Sequence, residues 1–333
     1  MSKDSIHINT HQKLSSELFS DEITLVPNRM GFGEGLLAAG KLDESIVALC
    51  ADLTESTQME LFKEAFPERF IEIGVAEQNL VTVGSGLAAV GKKPFVTSYA
   101  GFSPGRNWEQ IRTTICLNNR NVKIIGSHAG VSVGPDGATH QMLEDIALMR
   151  VLSNMTVIVP ADSIEARKAT MALAKTDSPA YLRLAREKTA VITTDESPFE
   201  IGKAQVLVEG HDITLVACGP LVYEALKAAH ELHKHHISAE VINCATIKPL
   251  DSTTIIESAK KTKRVVTIEE AQIAGGLGGA VSEALSTQYA VPVYRVGIQD
   301  RFGQSGTVSQ LWQEYEVDSE AIIKTVKEII KKP

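Results

Sequence analysis

Short apolar runs alternate with longer segments of helical spacing between about residues 29 and 190. The apolar runs, typical of buried strands, are SIVALCADL, RFIEIGV, PFVTSYA, NVKIIGS, MTVIVPA and PAYLRLA. Helices are predicted after Glu77 and in WEQIRTTICL, QMLEDIALMRVL and SIEARKATMALAK. This alternation predicts a parallel sheet with helices on both faces.

A second series with the same alternation follows residues 189–200, a polar, proline-containing segment that we interpret as a linker. Its runs are DITLVACG, LVYEALKAAHEL, SAEVINCA, RVVTIEEA, LGGAVSEALS and VPVYRVGI, with a last helix in SEAIIKTVKEIIKK. Residues 1–24 are polar and predict an N-terminal arm. The predicted fold class is therefore α/β, with two consecutive α/β domains of mostly parallel sheets at residues 25–190 and 200–333.

Composition narrows the class of protein. Of the 333 residues, 44% are apolar, yet no run approaches the ~18 apolar residues that a transmembrane helix needs. The start of the chain lacks the apolar region of a secretory signal. The net charge of −8 argues against a nucleic-acid or anionic-membrane partner. Four cysteines without a CxxC pair predict buried free thiols in a reducing cytosol, so we expect a cytoplasmic protein.

Candidate chemistry gathers where predicted strands end, because ligands of open α/β sheets bind beyond the carboxyl ends of the strands. Glu77 lies at such an end, at the start of a predicted helix, and so do Asp52 and residues 127–141. An acid in a first helical turn also complements the helix dipole. From the residues alone, Glu77 is therefore either a helix-stabilising acid or a functional carboxyl.

The stretch SHAGVSVGPDGATHQMLED, residues 127–145, places His128, Asp136 and His140 among three glycines. Glycines allow the backbone to turn sharply and to approach a ligand closely. Two histidines and an aspartate in such a loop suit a polyhydroxyl or phosphorylated substrate. The alternative is a structural turn with surface histidines.

Two aromatic residues, Phe102 and Trp108, follow a further strand end in SYAGFSPGRNWEQIR, although only 5% of the chain is aromatic. One of them could stack on a heteroaromatic ring, and core packing is the alternative, more strongly so for Trp108.

Two other patterns carry little functional weight. EEAQIAGGLGGA resembles a dinucleotide-binding loop, but Val281 stands where the third glycine belongs, and the acid expected about 20 residues later is missing. Close packing of a helix on its strand explains it better. HKHH, residues 233–236, lies at the polar end of a predicted helix, and we interpret it as a solvent-exposed helix end and not as a set of metal ligands. We therefore predict no metal site in this chain.

Four motifs together, IGVAEQNL, GPDGATHQMLED, GRNWEQIR and EEAQIAGGLGGA, resemble the C-terminal part of transketolase, most closely the kind split over two chains. The resemblance covers the chain from about residue 25. It implies a thiamine-diphosphate pyrimidine-binding domain followed by a transketolase C-terminal domain. The family's diphosphate domain carries GDG and a later Asn, and GDG does not occur here. A partner, an N-terminal transketolase subunit, would then hold the diphosphate and Mg²⁺.

The resemblance also implies roles for residues. Glu77 would hydrogen-bond N1′ of the aminopyrimidine of thiamine diphosphate and so assist removal of the proton from C2 of its thiazolium. Phe102 would stack on the pyrimidine, and Asp52 would lie close to the cofactor. The residues implied for sugar binding are Asp136 and His140 for hydroxyls, and Arg29, Ser56, His128 and Arg186 for the phosphate. This sequence departs from the family pattern at two positions, where Pro135 replaces the acid usual before the aspartate and Ala138 replaces a proline. Both are backbone adjustments, and we expect the activity to be retained.

The activity that the resemblance implies is transfer of a two-carbon ketol unit from a ketose phosphate to an aldose phosphate, in an assembly of two copies of each subunit. Alternatives within the superfamily are a deoxyxylulose-phosphate-synthase-like fragment and a 2-oxoacid dehydrogenase E1 β subunit. A split enzyme for an unusual sugar, including a sulfonated one, is also possible. A non-catalytic scaffold subunit and an NAD-dependent oxidoreductase are alternatives from other classes.

Overall fold

The computed structural model describes residues 6–331. Its strands, in chain order, are β1 (His7–Ile8), β2 (Leu25–Pro27), β3 (Ile46–Cys50), β4 (Phe70–Glu72), β5 (Lys93–Tyr99), β6 (Lys123–Ser127), β7 (Thr156–Ile158), β8 (Ala180–Arg183), β9 (Lys188–Ala190), β10 (Gln205–Glu209), β11 (Ile213–Ala217), β12 (Ala239–Asn243), β13 (Thr246–Lys248), β14 (Val265–Gln272) and β15 (Val293–Ile298).

The α-helices are α1 (Asn28–Leu42), α2 (Glu60–Ala65), α3 (Glu77–Ala89), α4 (Trp108–Gln110), α5 (Asp145–Arg150), α6 (Ser163–Ala174), α7 (Leu221–Lys234), α8 (Ser252–Thr262), α9 (Leu277–Gln288), α10 (Val308–Glu314) and α11 (Ser319–Ile330). A π-helical turn, Ile111–Cys116, continues α4. The 3-10 turns are Thr10–Gln12, Pro67–Arg69 and Val131–Asp136, the last kinked at Gly134.

The larger sheet has the order β13-β7-β8-β6-β5-β3-β4 and is parallel except for its edge strand β13. The second sheet has the order β1-β10-β12-β11-β14-β15. Its strands β12, β11, β14 and β15 are parallel, whereas β10 is antiparallel to both of its neighbours, β1 and β12. Strands β2 and β9 form a separate antiparallel pair. The predicted α/β class with mostly parallel sheets is confirmed.

The two halves of the chain share contacts. Strand β13 belongs to the second half but pairs with β7 of the first. One apolar cluster contains Val157 and Val159 of the first half together with Val216 and Ile242 of the second. Buried apolar surface therefore continues from one sheet to the other, so neither sheet is packed alone.

The sequence pattern does not predict α1, because glycines at positions 31, 33 and 35 each lower helix propensity by about 1 kcal/mol. The structure shows why these positions are glycines. A Cβ on Gly31 would lie 1.7 Å from the carbonyl oxygen of Ser163, and one on Gly33 would lie 2.5 Å from that of Gln58. The missing side chains let α1 approach α6 closely. This packing places Arg29 in the first turn of α1.

The predicted helix QMLEDIALMRVL is shorter than its pattern, because α5 begins only at Asp145. The preceding residues bond to other segments instead. The amide of Gly130 donates to the carbonyl of Met142 at 2.9 Å, and the amide of Gln272 donates to that of Leu143 at 2.9 Å. These tertiary hydrogen bonds hold residues 142 and 143 away from the helix.

Residues 189–200, predicted as a linker, are held against the first half of the chain. They begin in β9, and Thr189 and Thr193 are buried. Asp162 accepts hydrogen bonds from the amides of Ile192 and Thr193 at 2.9 and 2.7 Å. The same carboxylate caps α6 by accepting the amide of Glu165 at 2.8 Å. The segment is thus a bonded part of the fold.

The described part of the N-terminal arm also has fixed contacts. Strand β1 pairs with β10 at the edge of the second sheet. Leu18 is buried in the apolar cluster of that sheet. All four cysteines are free and buried, as the sequence predicts. No helix within residues 6–331 has the length and apolar character needed to cross a membrane.

We expect Asp162→Ala to lower the free energy of unfolding by about 3 kcal/mol. A lost helix cap costs about 1 kcal/mol, and each buried amide left without an acceptor costs about 1–3 kcal/mol. Urea denaturation measures the loss. Asp318→Ala is the matched control, because Asp318 caps α11 through the Ala321 amide and should cost only about 1 kcal/mol. Equal losses in the two variants would contradict the role of Asp162 in holding residues 192 and 193.

Candidate active site

The candidate site lies at one edge of the larger sheet. Strands β8, β6, β5, β3 and β4 are parallel neighbours, so their carboxyl ends meet there. Every residue predicted for the site follows one of these strands, except Arg29 in α1. In strand order, Arg186 follows β8, residues 127–141 follow β6, Phe102 follows β5, Asp52 and Ser56 follow β3, and Glu77 follows β4. We call residues 127–141 the glycine loop.

Glu77 is buried at the first turn of α3, with 4% of its surface exposed. Both of its carboxylate oxygens contact Nη1 of Arg106, at 3.3 and 3.2 Å. Its carbonyl oxygen accepts a hydrogen bond from the side-chain amide of the buried Asn107 at 2.8 Å. The carboxylate is therefore held in a defined position by a cation and by a fixed backbone.

Phe102 and Glu77 are joined through Arg106. The guanidinium carbon of Arg106 lies 4.2 Å from the centre of the Phe102 ring, while its Nη1 contacts Glu77. A flat cation thus stacks on an aromatic face and donates to a buried acid. A planar nitrogen heterocycle makes the same two kinds of contact, so the pair suits such a ring. The other aromatic candidate, Trp108, instead donates from Nε1 to the carbonyl of Leu148 at 2.8 Å.

Tyr99 connects the middle of the site. Its hydroxyl lies 2.6 Å from Oγ of Ser56, and its ring stacks on His128 with centroids 3.8 Å apart. It also contacts the ring of Phe102 at 6.1 Å and that of His140 at 6.4 Å. Tyr99 therefore links residues that follow β3, β5 and β6 into one wall.

Arg29, Ser56, His128 and Arg186 form a second group, which we call the anion pocket. Arg29 donates from Nε to the carbonyl of Arg186 at 3.1 Å and from Nη1 to that of Ser56 at 2.5 Å. Nε2 of His128 lies 3.3 Å from Oγ of Ser56. Arg186 donates from Nη1 to the carbonyl of Val133 at 2.7 Å. The structure thus brings together all four residues predicted to bind a phosphate.

Electrostatics favour an anion in this pocket. Burial, together with the nearby positive charges of Arg29 and Arg186, lowers the pKa of His128 to about 3. Burial also lowers the pKa of Arg29 from its ordinary value. His128 is therefore neutral at neutral pH and acts as a hydrogen-bonding group beside two guanidinium groups. An anion bound there would be stabilised by both arginines.

Asp136 and His140 lie at the far end of the glycine loop. Asp136 is exposed, and its carboxylate lies 3.6 Å from Nη1 of Arg186. His140 packs edge-on against Phe102 with centroids 5.3 Å apart, and its Nδ1 lies 2.9 Å from Oγ1 of Thr139. Asp136 therefore lies beside the anion pocket, and His140 lies beside Phe102.

Asp52 is the least connected of the predicted residues. Its backbone has a positive φ of 60°, its amide donates to the Glu72 carboxylate at 2.7 Å, and its side chain is exposed. His128 has a similar φ of 59°. Such values are uncommon outside glycine and cluster at functional sites. The structure places Asp52 at the sheet edge without joining it to the other site residues.

Arg106 and Tyr99 are site residues that the sequence reasoning missed. Both lie in SYAGFSPGR, the stretch from which Phe102 was selected, so a search of that stretch for every polar or aromatic side chain would have found them. Nothing in the spacing shows that Arg106 reaches Glu77, which is 29 positions earlier in the chain.

The loop that resembles a dinucleotide fingerprint is filled by a side chain of its own strand. The amides of Leu277 and Gly278, at the start of α9, donate to the Glu269 carboxylate at 2.7 and 2.8 Å. A phosphate would need the same amides. Within residues 6–331, no three His, Cys, Asp or Glu side chains are grouped as metal ligands.

Comparison with known proteins agrees with this geometry. The family model described as the pyrimidine binding domain of transketolase matches residues 26–191, and that described as the C-terminal domain of transketolase matches residues 202–322. A putative transketolase C-terminal section from Methanocaldococcus jannaschii is 45% identical over 308 residues, which are 91% of this chain and 96% of the relative.

Two further matches describe split enzymes. The 6-deoxy-6-sulfo-D-fructose transketolase subunit SqwH of Clostridium sp. (strain MSTE9) is 39% identical over 89% of this chain and 92% of its own. The solved structure of a split gene transketolase, described as an inactive beta4 tetramer, has a TM-score of 0.86 and 43% identity. The matched region covers 92% of this chain and 98% of the chain in that structure. On these matches, the chain belongs to the transketolase family and corresponds to its C-terminal section in the split form.

Proposed function

We propose that this chain, together with an N-terminal partner subunit, transfers a two-carbon ketol unit from a ketose phosphate to an aldose phosphate through thiamine diphosphate. One observation carries the proposal. A buried acid beside an aromatic face and an anion pocket with two arginines lie at the same sheet edge, joined by Tyr99. A heterocycle and a phosphorylated sugar could therefore bind next to each other at this edge of the sheet.

Membership of the transketolase family implies dependence on thiamine diphosphate. The residues present fit the aminopyrimidine end of that cofactor, which needs an acid for a ring nitrogen and an aromatic face for stacking. Glu77 is the acid and Phe102 is the face. When bound, the cofactor supplies the nucleophilic carbon that accepts the ketol unit. Asp52, exposed at the end of β3, is proposed to lie along the same cofactor.

In this proposal, Glu77 is the residue that exchanges a proton with the aminopyrimidine ring. Its carboxylate is buried at the amino end of α3 and contacts the guanidinium of Arg106. A ring that stacks on Phe102 and forms a hydrogen bond with Glu77 must come into contact with the guanidinium of Arg106, because that group contacts both residues. Glu77 then holds or shares a proton with the ring nitrogen, while Asn107 fixes the backbone of the acid.

The anion pocket binds the phosphate of the sugar. Arg29 and Arg186 supply two charges, which suit a dianion, and a guanidinium matches phosphate geometry. Neutral His128 and Ser56 add hydrogen bonds without a change of charge. Asp136 and His140 then face the sugar hydroxyls between the pocket and Phe102. A free 2-oxo acid, the substrate of an E1 β alternative, carries no phosphate for these arginines to bind.

The partner subunit is proposed to hold the diphosphate and Mg²⁺. Two domain models account for most of this chain, and the relatives are named as a section or a subunit. The related structure described as an inactive beta4 tetramer supports inactivity of this chain by itself. We propose an active assembly of two copies of each subunit, because transketolase-type sites form between chains. The domain limits proposed for this chain are 25–190 and 200–333, after an arm at 1–24.

We expect Glu77→Gln to lower kcat of the assembled enzyme by at least ~10²-fold, the usual scale for an acid/base group. The melting temperature should change little, because the amide keeps the size of the acid. Glu60→Gln is the matched control, since Glu60 is also an acid in a first helical turn but is exposed in α2, away from the site. Full activity of Glu77→Gln would instead support the non-catalytic scaffold alternative.

We expect Arg186→Ala to raise KM for the ketose phosphate by about 10-fold or more with a smaller change in kcat, because a charge-assisted hydrogen bond contributes about 1.5–3 kcal/mol. Steady-state kinetics measure both constants. Arg167→Ala is the control, because Arg167 forms an ion pair with Asp195 on the surface. An unchanged KM would exclude the anion pocket as the phosphate site. Competition by phosphate and by sulfate separates phosphorylated from sulfonated substrates.

We expect this chain alone to bind thiamine diphosphate and Mg²⁺ at least ~10²-fold more weakly than the two-subunit assembly, because it offers only the pyrimidine side. Isothermal titration calorimetry on both samples gives the two dissociation constants. Tight, stoichiometric binding to the single chain would show that the diphosphate is held here, and the split of the site would have to be abandoned.

A further inference from the structure

The glycine loop is built from short turns, namely the 3-10 turn Val131–Asp136, which is kinked at Gly134, and the bonds that follow it. Its Gly130, Gly134 and Gly137 all have positive φ, between 72° and 86°. Inside the loop, the amide of Gly137 donates to the carbonyl of Gly134 at 3.2 Å, and that of His140 donates to the carbonyl of Gly137 at 3.1 Å. A loop built on glycines loses much conformational entropy when it is ordered. Contacts from outside the loop therefore help to hold it in the shape that presents Asp136 and His140.

Glu270 of β14 provides such a contact from the second sheet. Its carboxylate accepts the amide of Ser132 at 2.5 Å and the hydroxyl of Ser132 at 3.1 Å. The residue is 2% exposed. The loop also fits closely over it, because a Cβ on Gly130 would lie 2.6 Å from the carboxylate carbon. The backbone of Glu270 is fixed in turn by Arg183, which donates to its carbonyl at 2.9 Å.

Ser132 is connected through the backbone to the environment of both Arg186 and Asp136 in the proposed sugar site. The next residue, Val133, accepts the hydrogen bond of Arg186 at 2.7 Å. The 3-10 turn that contains Ser132 ends at Asp136, whose carboxylate lies 3.6 Å from the same arginine. A shift of Ser132 therefore moves an acceptor of Arg186 and the position of Asp136 together.

We propose that Glu270 is a positioning residue for sugar binding, through which the second sheet sets the geometry of Asp136 and Arg186. Glu270 contacts the loop rather than the sugar or the cofactor. The proposal rests on the proposed function, because it assigns the glycine loop to the donor sugar. It gives the C-terminal half of the chain a defined part in the site that the first sheet builds.

The neighbouring residue supplies a matched control. Glu269 is equally buried and also holds backbone amides, but these are the amides of Leu277 and Gly278 at the start of α9. Because successive side chains of a strand point to opposite faces, the two acids serve different elements. A general effect of removing a buried carboxylate would appear at both positions, whereas a loss of loop positioning would appear only at Glu270.

The test compares Glu270→Ala and Glu269→Ala in the assembled enzyme. We expect Glu270→Ala to raise KM for the ketose phosphate about 10-fold while kcat changes less than about 3-fold, and Glu269→Ala to change KM less than about 2-fold. Glu270→Gln should restore KM to within about 3-fold of the wild type, because its amide oxygen still accepts the Ser132 amide. An unchanged KM in Glu270→Ala would overturn the proposal.

Hydrogen exchange in the single chain gives a readout that does not depend on activity. Peptides covering residues 130–137 should exchange at least about 10-fold faster in Glu270→Ala and at the wild-type rate in Glu269→Ala. Should Glu270→Ala fail to fold, Ser132→Ala removes only the hydroxyl contact and should raise KM about 2–3-fold. If Ser132→Ala changed neither the rate of hydrogen exchange nor KM, the proposal would then be rejected. Absence of ketol transfer in the wild-type assembly would reject the proposed function, while exchange would still decide whether Glu270 holds the loop.

Discussion

The parallel pairing of β8, β6, β5, β3 and β4 is the constraint on which the site depends. Because neighbouring strands run in the same direction, each returns the chain to the same edge, and the segments that leave the sheet there are forced into contact. Ser56 and His128 are 72 positions apart in sequence, and Arg29 and Arg186 are 157 apart, yet both pairs are within hydrogen-bonding reach through side chain or backbone. No local interaction could bring them together.

The larger sheet alone does not complete the site. Asp136 and His140 lie on the glycine loop, and the second half of the chain supplies further contacts that hold this loop. Gln141, at the end of the glycine loop, donates to the carbonyls of Val131 and Gln304 at 3.0 and 2.9 Å. Buried polar groups from both halves are thus satisfied by one another, which fixes the geometry between the sheets.

Charge distribution in the site follows from burial. Two arginines lie beside a histidine that cannot easily take up a proton, since its charged form would be buried next to two cations. The positive charge of the pocket therefore comes from the two arginines, and Asp136 and Glu187 lie close to Arg186. At the other end of Tyr99, a buried acid is paired with a cation that stacks on Phe102. The two ends of the site thus differ in the charge that they offer to a ligand.

Much of this could be predicted from the sequence. Apolar runs of strand length that alternate with helical segments predict parallel sheets, so the α/β class follows from SIVALCADL, PFVTSYA and similar runs together with the helices between them. The glycine spacing of residues 127–141 and the acid Glu77 at a strand end predict where a ligand binds, because both depend on local backbone geometry. The predicted phosphate residues required the family resemblance as well, since Arg29 lies 157 positions from Arg186.

Other features were decided only by tertiary structure. The pattern of α1 argues against a helix, and only its close contact with α6 makes the glycines favourable. The helix expected at QMLEDIALMRVL is cut short by hydrogen bonds to Gly130 and Gln272. Arg106 reaches Glu77, and Glu270 reaches Ser132, across 29 and 138 positions. By itself, the sequence determined most of the strands and helices and the chemistry at their ends, because these depend on residues close in the chain. Which side chains meet depended on the packing of distant segments, which no local pattern encodes.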